Sequence, residues 1–297
     1  MNLRKRTREK LIGYLFVLPA VVYLFVLIGY PIIYNWIIAF QDVTATTLGS
    51  SSRNFNGLKN FIMIFEDPVF LKAISQTFFY TFFSLLFQFT IGFLFALFFS
   101  QRFALSKPIR GMMVISWLLP VTVTALVFKF MFAENGIINA IFQKLCLIQE
   151  PIGWLIQQET SIWALIAANS WIGIPFNMIL LTTGLTNISS DIYESASMDG
   201  ANIFQRFFRI TLPLLKPTIM SVLVLGFVST FKVFDLVYVM TGGGPVNATE
   251  VLSSYSYKLS FIQFKFGEGA AAANVLFLFL FGIGCIYLKT ISKDEVI

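Results

Sequence analysis

Few residues in this chain could do chemistry, and each has a plain structural use beside a functional one. Lys232 and Asp235 stand three apart in an apolar stretch, a spacing that puts them on one helix face where they can pair. Such a pair could relay protons in a secondary transporter; its plain use is a local ion pair in the outer third of a helix. Lys129 stands near the end of another apolar stretch, where its long stem lets the ammonium reach the interface. Asn169, followed by Trp171, Gly173, Pro175 and Phe176, combines an amide with flat apolar rings. That combination suits a sugar: the amide hydrogen-bonds hydroxyls as donor and acceptor, and a ring covers the apolar face. Gly173 and Pro175 loosen a helix and can expose backbone to a cavity. The same residues serve equally as interhelical contacts and a kink.

Other chemistries are excluded by what is missing. The chain has no histidine, which removes a His-ligated metal site and a His general base. Cys146 falls in a loop and Cys285 in an apolar run, so no disulfide framework is implied. No nucleophile–base pair stands out, which leaves an intramembrane enzyme without support. No Gly-rich phosphate loop ending in Lys-Ser or Lys-Thr occurs, so the chain is not itself an ATPase.

The elements that must position these residues are membrane helices. The 297 residues are 57% hydrophobic and 12% charged, with 35 phenylalanines and a mean hydropathy of +0.78. Soluble domains average about 45–50% apolar and about 25% charged. A chain this apolar cannot cover its surface with polar groups, which excludes a soluble globular enzyme and a disordered chain. Crossing a hydrocarbon core takes roughly 20 apolar residues in a helix. Six segments meet this, about 11–40, 75–99, 109–132, 161–184, 218–240 and 270–289. They are continuously apolar rather than alternating, so a barrel is excluded. The basic start (Arg4, Lys5, Arg6, Arg8, Lys10) resembles a signal peptide, but its apolar run is too long and no small-x-small site ends it. It reads as an uncleaved first span, bent or broken at Pro19 and Pro31.

Orientation follows from Lys and Arg in the loops. The N-terminal cluster, Arg102, Lys107, Arg110, Arg206, Arg209, Lys216, Lys289 and Lys293 fall on one side. Arg53, Lys59, Lys72, Lys144, Lys258 and Lys265 fall on the other. Both termini are then cytoplasmic, and the net charge of +6 is topological rather than a nucleic-acid footprint. The outer loops, about 41–74, 133–160 and 241–269, are too short for a domain of typical size. The expectation is one all-α polytopic domain over residues 1–297, with its core at about 70–290.

The long cytoplasmic loop, 187–217, carries the most local information. Asp191 and Glu194 have capping-box spacing and predict a short helix. Gly200 stands where a left-handed turn would stop it. Asn202 and Gln205 repeat the spacing and predict a second helix, limited by Pro213 and Pro217. Ile203, Phe204, Phe207 and Phe208 share one face, with Arg206 and Arg209 elsewhere. Two short helices with an apolar face are marginal alone. They either pack on the bilayer interface and their own bundle or dock a partner.

The order Glu194-Ser195-Ala196, three residues, Gly200, nine residues, Ile210-Thr211-Leu212-Pro213 resembles the signature of the membrane subunits of ABC importers, Glu-Ala-Ala, three residues, Gly, nine residues, Ile-x-Leu-Pro. Ser195 replaces the first Ala, small for small. Tyr193–Gly200 and Thr241-Gly242-Gly243-Gly244-Pro245 resemble, within that family, the sugar-importer permeases of the maltose F-subunit and glycerol-3-phosphate A-subunit types, over nearly the whole chain. The resemblance implies a type I importer permease with six spans and a helix-turn-helix coupling loop. It implies that Glu194, Ser195, Ala196, Asp199, Gly200, Ile210, Leu212 and Pro213 dock a separate cytoplasmic ATPase. Glu194 would meet a basic group there, and Pro213 would set where the loop re-enters the membrane. It implies as partners a second homologous permease, two ATPase subunits carrying ATP and Mg, and an extracytoplasmic sugar-binding protein. No cofactor would sit on this chain, which would lie in a bacterial or archaeal plasma membrane and import a sugar, most simply an oligosaccharide.

The same resemblance implies a mid-membrane sugar site from the third, fourth and fifth spans. Asn169 and Gly173 match it directly, with Ile172 beside them, and Phe176 replaces a tyrosine and so lacks its hydroxyl. Val121 and Ala125 of the third span, and Gly226, Thr230 and Val233 of the fifth, would face the same region, with Thr122 and Thr124 as nearby polar alternatives. The competing class is a stand-alone secondary transporter or channel, which would need a working intramembrane ion pair and no ATPase.

Overall fold

The structure is a computed structural model that describes residues 2–49, 53–101, 103 and 105–294, with side chains described within 12–289. The side chains of the N-terminal cluster, together with Arg102 and Lys293, lie outside the described residues. Among the described residues five helical segments are long and apolar enough to cross a membrane: Ile12–Ala39, Pro68–Ser100, Gln158–Thr186, Ile203–Phe231 and Phe266–Lys289. A sixth is a pair of helices meeting at 95°. The chain packs as two compact units, Met1–Glu66 with Ser256–Val275, and Asp67–Tyr255 with Leu276–Ile297.

In the first unit α1 (Asn2–Leu24) runs through a π turn, Phe25–Gly29, into α2 (Tyr30–Ala39). Pro19 is absorbed inside α1, so the expected break lies elsewhere. It is the π turn just before Tyr30-Pro31, where a wider turn accommodates the proline ring against the preceding carbonyls. Asn60, on α3 (Lys59–Glu66), donates from Nδ2 to the carbonyls of Ala39 (2.8 Å) and Gln41 (2.9 Å), which caps the end of α2. Asn35 donates to Asn274 Oδ1 at 2.7 Å, a part-buried amide pair linking α2 to the last helix.

The second unit is built on α4 (Pro68–Ser100), which runs about 50 Å at 1.5 Å per residue. Its start is doubly specified: Asp67 accepts from the Val69 amide at 2.8 Å, and Pro68 occupies the first turn. The buried residues Ala73, Thr77, Tyr80, Ser84, Gln88, Gly92 and Ala96 recur every three or four positions and form one face. That face packs on α8 (Gln158–Thr186), which follows α7 (Ile137–Lys144). Small residues let the two backbones approach: a Cβ on Gly92 would stand 2.6 Å from Asn177 Cβ.

The third span is not continuous. It is α5 (Ser106–Leu118) and α6 (Val121–Met131), joined at 95° through Leu119-Pro120. Pro120 cannot donate to the helix ladder and forces Leu119 into extended backbone, φ −67 and ψ 140. The fifth span also differs from expectation at both ends. Between the two lies the loop carrying α9 (Ser190–Met198). α10 (Ile203–Arg206) passes through a π turn, Phe207–Thr211, directly into α11 (Leu212–Phe231). Pro213 and Pro217 therefore do not stop the second short helix: the π turn takes up the clash at Pro213, and Pro217 sits inside α11. At the other end α11 stops at Phe231, and α12 (Asp235–Met240) is a separate helix. α13 (Leu252–Tyr257) leads to a π turn, Lys258–Ile262, and α14 (Phe266–Asp294) closes the chain.

Candidate functional site

The two broken spans meet. α6 packs on α12, and Lys129 Nζ donates to the Val239 carbonyl at 3.0 Å, linking the two half-helices. The expected snorkelling lysine is thus a contact between half-helices. Where the breaks converge with α8 lies a cavity of about 340 Å³. From α8 come Asn169, Ile172, Gly173 and Phe176, whose spacing of three and four places them on one face. From α11 come Gly226, Ser229 and Thr230, from the break after it Lys232, Val233 and Phe234, and from the start of α12 Asp235. Trp117 and Val121 flank the Pro120 corner, so the bend turns both into the cavity. Trp117 and Phe176 face each other with ring centroids 5.6 Å apart.

Most residues expected on the pathway therefore share one cavity. Thr122 and Ala125 do not line it. α6 leaves the corner at 95°, so one turn on Ala125 is fully buried among Phe128, Leu165 and Ala168, while Thr122 is exposed on another side. Thr124, the other polar alternative, is buried, and among the described residues its Oγ1 has no partner. The Lys232–Asp235 pair is corrected too. The helix that would have aligned them ends at Phe231. Among the described residues no ion pair joins them, and both charges line the cavity instead.

Gln88 is the wall residue that the motif reading missed. It projects from α4 and donates from Nε2 to the Asn169 carbonyl at 3.1 Å. The signal was available, since an amide inside an apolar span is a functional candidate by default. Trp117 and Phe234 were missed because they enter only through the two breaks, whereas Ser229 sits on α11 three residues after Gly226, a spacing that could have found it.

The same helix faces continue into a second cavity of about 450 Å³ toward the 187–202 loop. Lys107, Arg110 and Val114 extend the α5 face of Trp117, and Ile179, Thr183 and Thr186 extend the α8 face of Phe176. Among the described residues neither Lys107 nor Arg110 has an acidic partner in that cavity.

The loop itself is rigidly specified. α9 is capped by Ser189, whose Oγ accepts from the Asp191 amide at 3.3 Å. Asp191 was expected as the cap but falls in the first turn, where its charge faces the positive end of the helix. Gly200 adopts φ +78. Around it Ala201 N–H donates to Ala196 O (2.9 Å) and Gly200 N–H to Ser197 O (3.1 Å), the paired bonds of a Schellman stop. Asn202 and Gln205 then form the expected capping box, both bonds 2.9 Å. Tyr193 OH meets Thr211 Oγ1 at 3.0 Å, and Arg206 donates to Ser197 Oγ at 2.8 Å, so the two short helices are one braced element. Glu194, Ser195, Asp199 and Gly200 are exposed on it and Ala196 is half-buried. Ile210 and Leu212 are half-buried and Pro213 exposed where it becomes α11. Met198 (89% exposed) and Phe204 (75%) stand out into solvent, whereas Phe207 packs on Phe93 with ring centroids 6.0 Å apart.

Comparison with known proteins agrees with this geometry. Residues 88–293 match the family of binding-protein-dependent transport system inner membrane components. The trehalose/maltose transport system permease protein MalF of Thermococcus litoralis is 32% identical over 284 residues, 95% of this chain and 94% of that protein. The diacetylchitobiose uptake system permease protein DasB of Streptomyces coelicolor is 28% identical over 95% of this chain and 87% of its own length. Among solved structures, a bacterial alginate ABC transporter in complex with alginate pentasaccharide-bound periplasmic protein aligns with a TM-score of 0.79 at 22% identity. That alignment covers 97% of this chain and 96% of that one, and shows the same fold. The broken spans, the braced loop and the match over two thirds of its length give one conclusion: the chain belongs to the binding-protein-dependent transport system inner membrane components, and it is a membrane-spanning permease subunit of an ABC importer.

Proposed function

We propose that this chain forms half of the route by which an ATP-driven importer carries an oligosaccharide across the membrane. The observation that carries the reading is the cavity at the meeting of the two broken spans. Broken helices present free backbone groups at membrane depth, which is tolerated where they line a cavity. Here that backbone is accompanied by an amide face (Asn169, Gln88) and two ring planes (Trp117, Phe176), the combination a saccharide needs. The names of the relatives, which carry trehalose/maltose and diacetylchitobiose, support a sugar of this size. The sugar would leave past Lys107, Arg110 and the threonines of α8. The braced 187–202 element would dock on a separate ATPase through its exposed Glu194, Asp199 and apolar side chains, and move as a rigid lever when ATP closes the ATPase dimer. A second permease, two ATPase subunits binding ATP and Mg, and an extracytoplasmic binding protein would complete the machine, with both termini of this chain cytoplasmic.

The test is uptake by proteoliposomes holding the assembled importer, supplied with binding protein and radiolabelled maltose, trehalose or diacetylchitobiose. ATP-dependent uptake of at least one of them is expected. Accumulation that needs no ATPase would put the chain in the secondary-transporter class.

A further inference from the structure

Gln88 is an amide 3% exposed in the middle of an apolar helix, and it lines the cavity. A glutamine side chain offers two N–H donors and an oxygen with two lone pairs. One donor is used, by the bond from Nε2 to the Asn169 carbonyl. Among the described residues Oε1 and the second N–H have no partner. The amide is held in place by a missing side chain: a Cβ on Gly173 would overlap Gln88 Cδ and Oε1 and stand 2.8 Å from Cγ. One turn before Gly173 on the same face, Asn169 Nδ2 is buried and also without a partner. Val121 and Phe176 carry no polar group, and the other polar lining includes Ser229, Thr230, Lys232 and Asp235, from α11, the break after it and the start of α12. The acceptor is thus pinned and without a protein partner on the cavity wall, where a ligand hydroxyl can meet it.

We infer that Gln88 is a specificity residue of the transport cavity, reading a sugar hydroxyl. Its Oε1 accepts from a sugar hydroxyl, and Gly173 is the notch that fixes the Gln88 rotamer. The inference rests on the reading that the cavity holds a saccharide.

The test uses the assembled importer and whichever of maltose, trehalose or diacetylchitobiose the wild type takes up, together with the monodeoxy analogues of that sugar. Wild type should favour the parent sugar over at least one analogue by about five- to tenfold, the worth of one hydrogen bond. Gln88→Leu should lower uptake of the parent and abolish that preference. Gly173→Ala should do the same by displacing the amide, and Gly173→Ala/Gln88→Ala should regain thermal stability without regaining the preference. A Gln88→Leu importer that keeps the wild-type preference overturns the inference. So does one that loses parent and analogue in equal proportion, which would mark Gln88 as a structural brace only. If the wild type takes up none of the three sugars, the oligosaccharide reading itself fails and the inference with it.

Discussion

Gly200 offers the sharpest perturbation of the coupling element. It sits at φ +78, and among the described residues nothing lies within 4 Å of where a Cβ would be placed. A side chain there meets no steric neighbour, so its cost is backbone strain alone, about 1–2 kcal/mol for an L-residue in the left-handed region. That is roughly a five- to thirtyfold shift in the balance between the braced and opened loop, at about 1.4 kcal/mol per tenfold. The two bonds of the stop, Ala201 to Ala196 and Gly200 to Ser197, are what the opened loop loses. The series Gly200→Asn, Gly200→Ala and Gly200→Val therefore has a fixed order. Asparagine tolerates the left-handed region and should stay near wild type; alanine should lose about the amount above, and the β-branched valine more. The assay is sugar taken up per ATP hydrolysed in proteoliposomes, with thermal stability measured in parallel. The ratio should fall in the order Asn, Ala, Val while the melting temperature barely moves, since α9 packs on little of the bundle. A valine variant that couples as well as wild type would refute the claim that loop geometry transmits the ATPase stroke.

Two further outcomes follow from the packing. Gly92→Leu should cost well over 1–3 kcal/mol, because even a Cβ collides with Asn177 at 2.6 Å, and the folded yield by size-exclusion chromatography should collapse; Gly282→Leu, with nothing within 4 Å, should behave as wild type. Val114→Cys, with Cys146 and Cys285 replaced by serine, should react several-fold faster with an anionic than with a cationic methanethiosulfonate, because Lys107 and Arg110 line the same cavity. Lys107→Gln/Arg110→Gln should erase that difference.

The spans were legible in the sequence because continuous apolar runs have one cheap solution in a bilayer, and their number survives in the structure with one span counted as a bent pair. The loop was legible because its turn chemistry is local: Gly200 at positive φ, and the Asn202–Gln205 box, depend on residues three or four apart. Its first cap was harder, since Ser189 and Asp191 compete for the role two residues apart and only the backbone entry decides. Direction changes inside apolar runs were not legible. Leu119-Pro120 lies within an unbroken hydrophobic stretch, and hydropathy carries no information about a 95° corner. The break at Lys232–Phe234 was hidden by the assumption that Lys232 and Asp235 share a helix. Gln88 was hidden for another reason: its partner, Gly173, is far away in sequence and meets it only because α4 and α8 pack.

The central claim is that sugar passes through the cavity bounded by α8 and the two broken spans. Cryo-EM of the assembled importer, trapped with ATP analogue and sugar-loaded binding protein, tests it most directly. Sugar density should lie against Asn169, Gly173 and Phe176, with Gln88 within hydrogen-bonding distance of a hydroxyl. Density elsewhere along this chain, with the cavity collapsed between α8 and α11, would contradict the account.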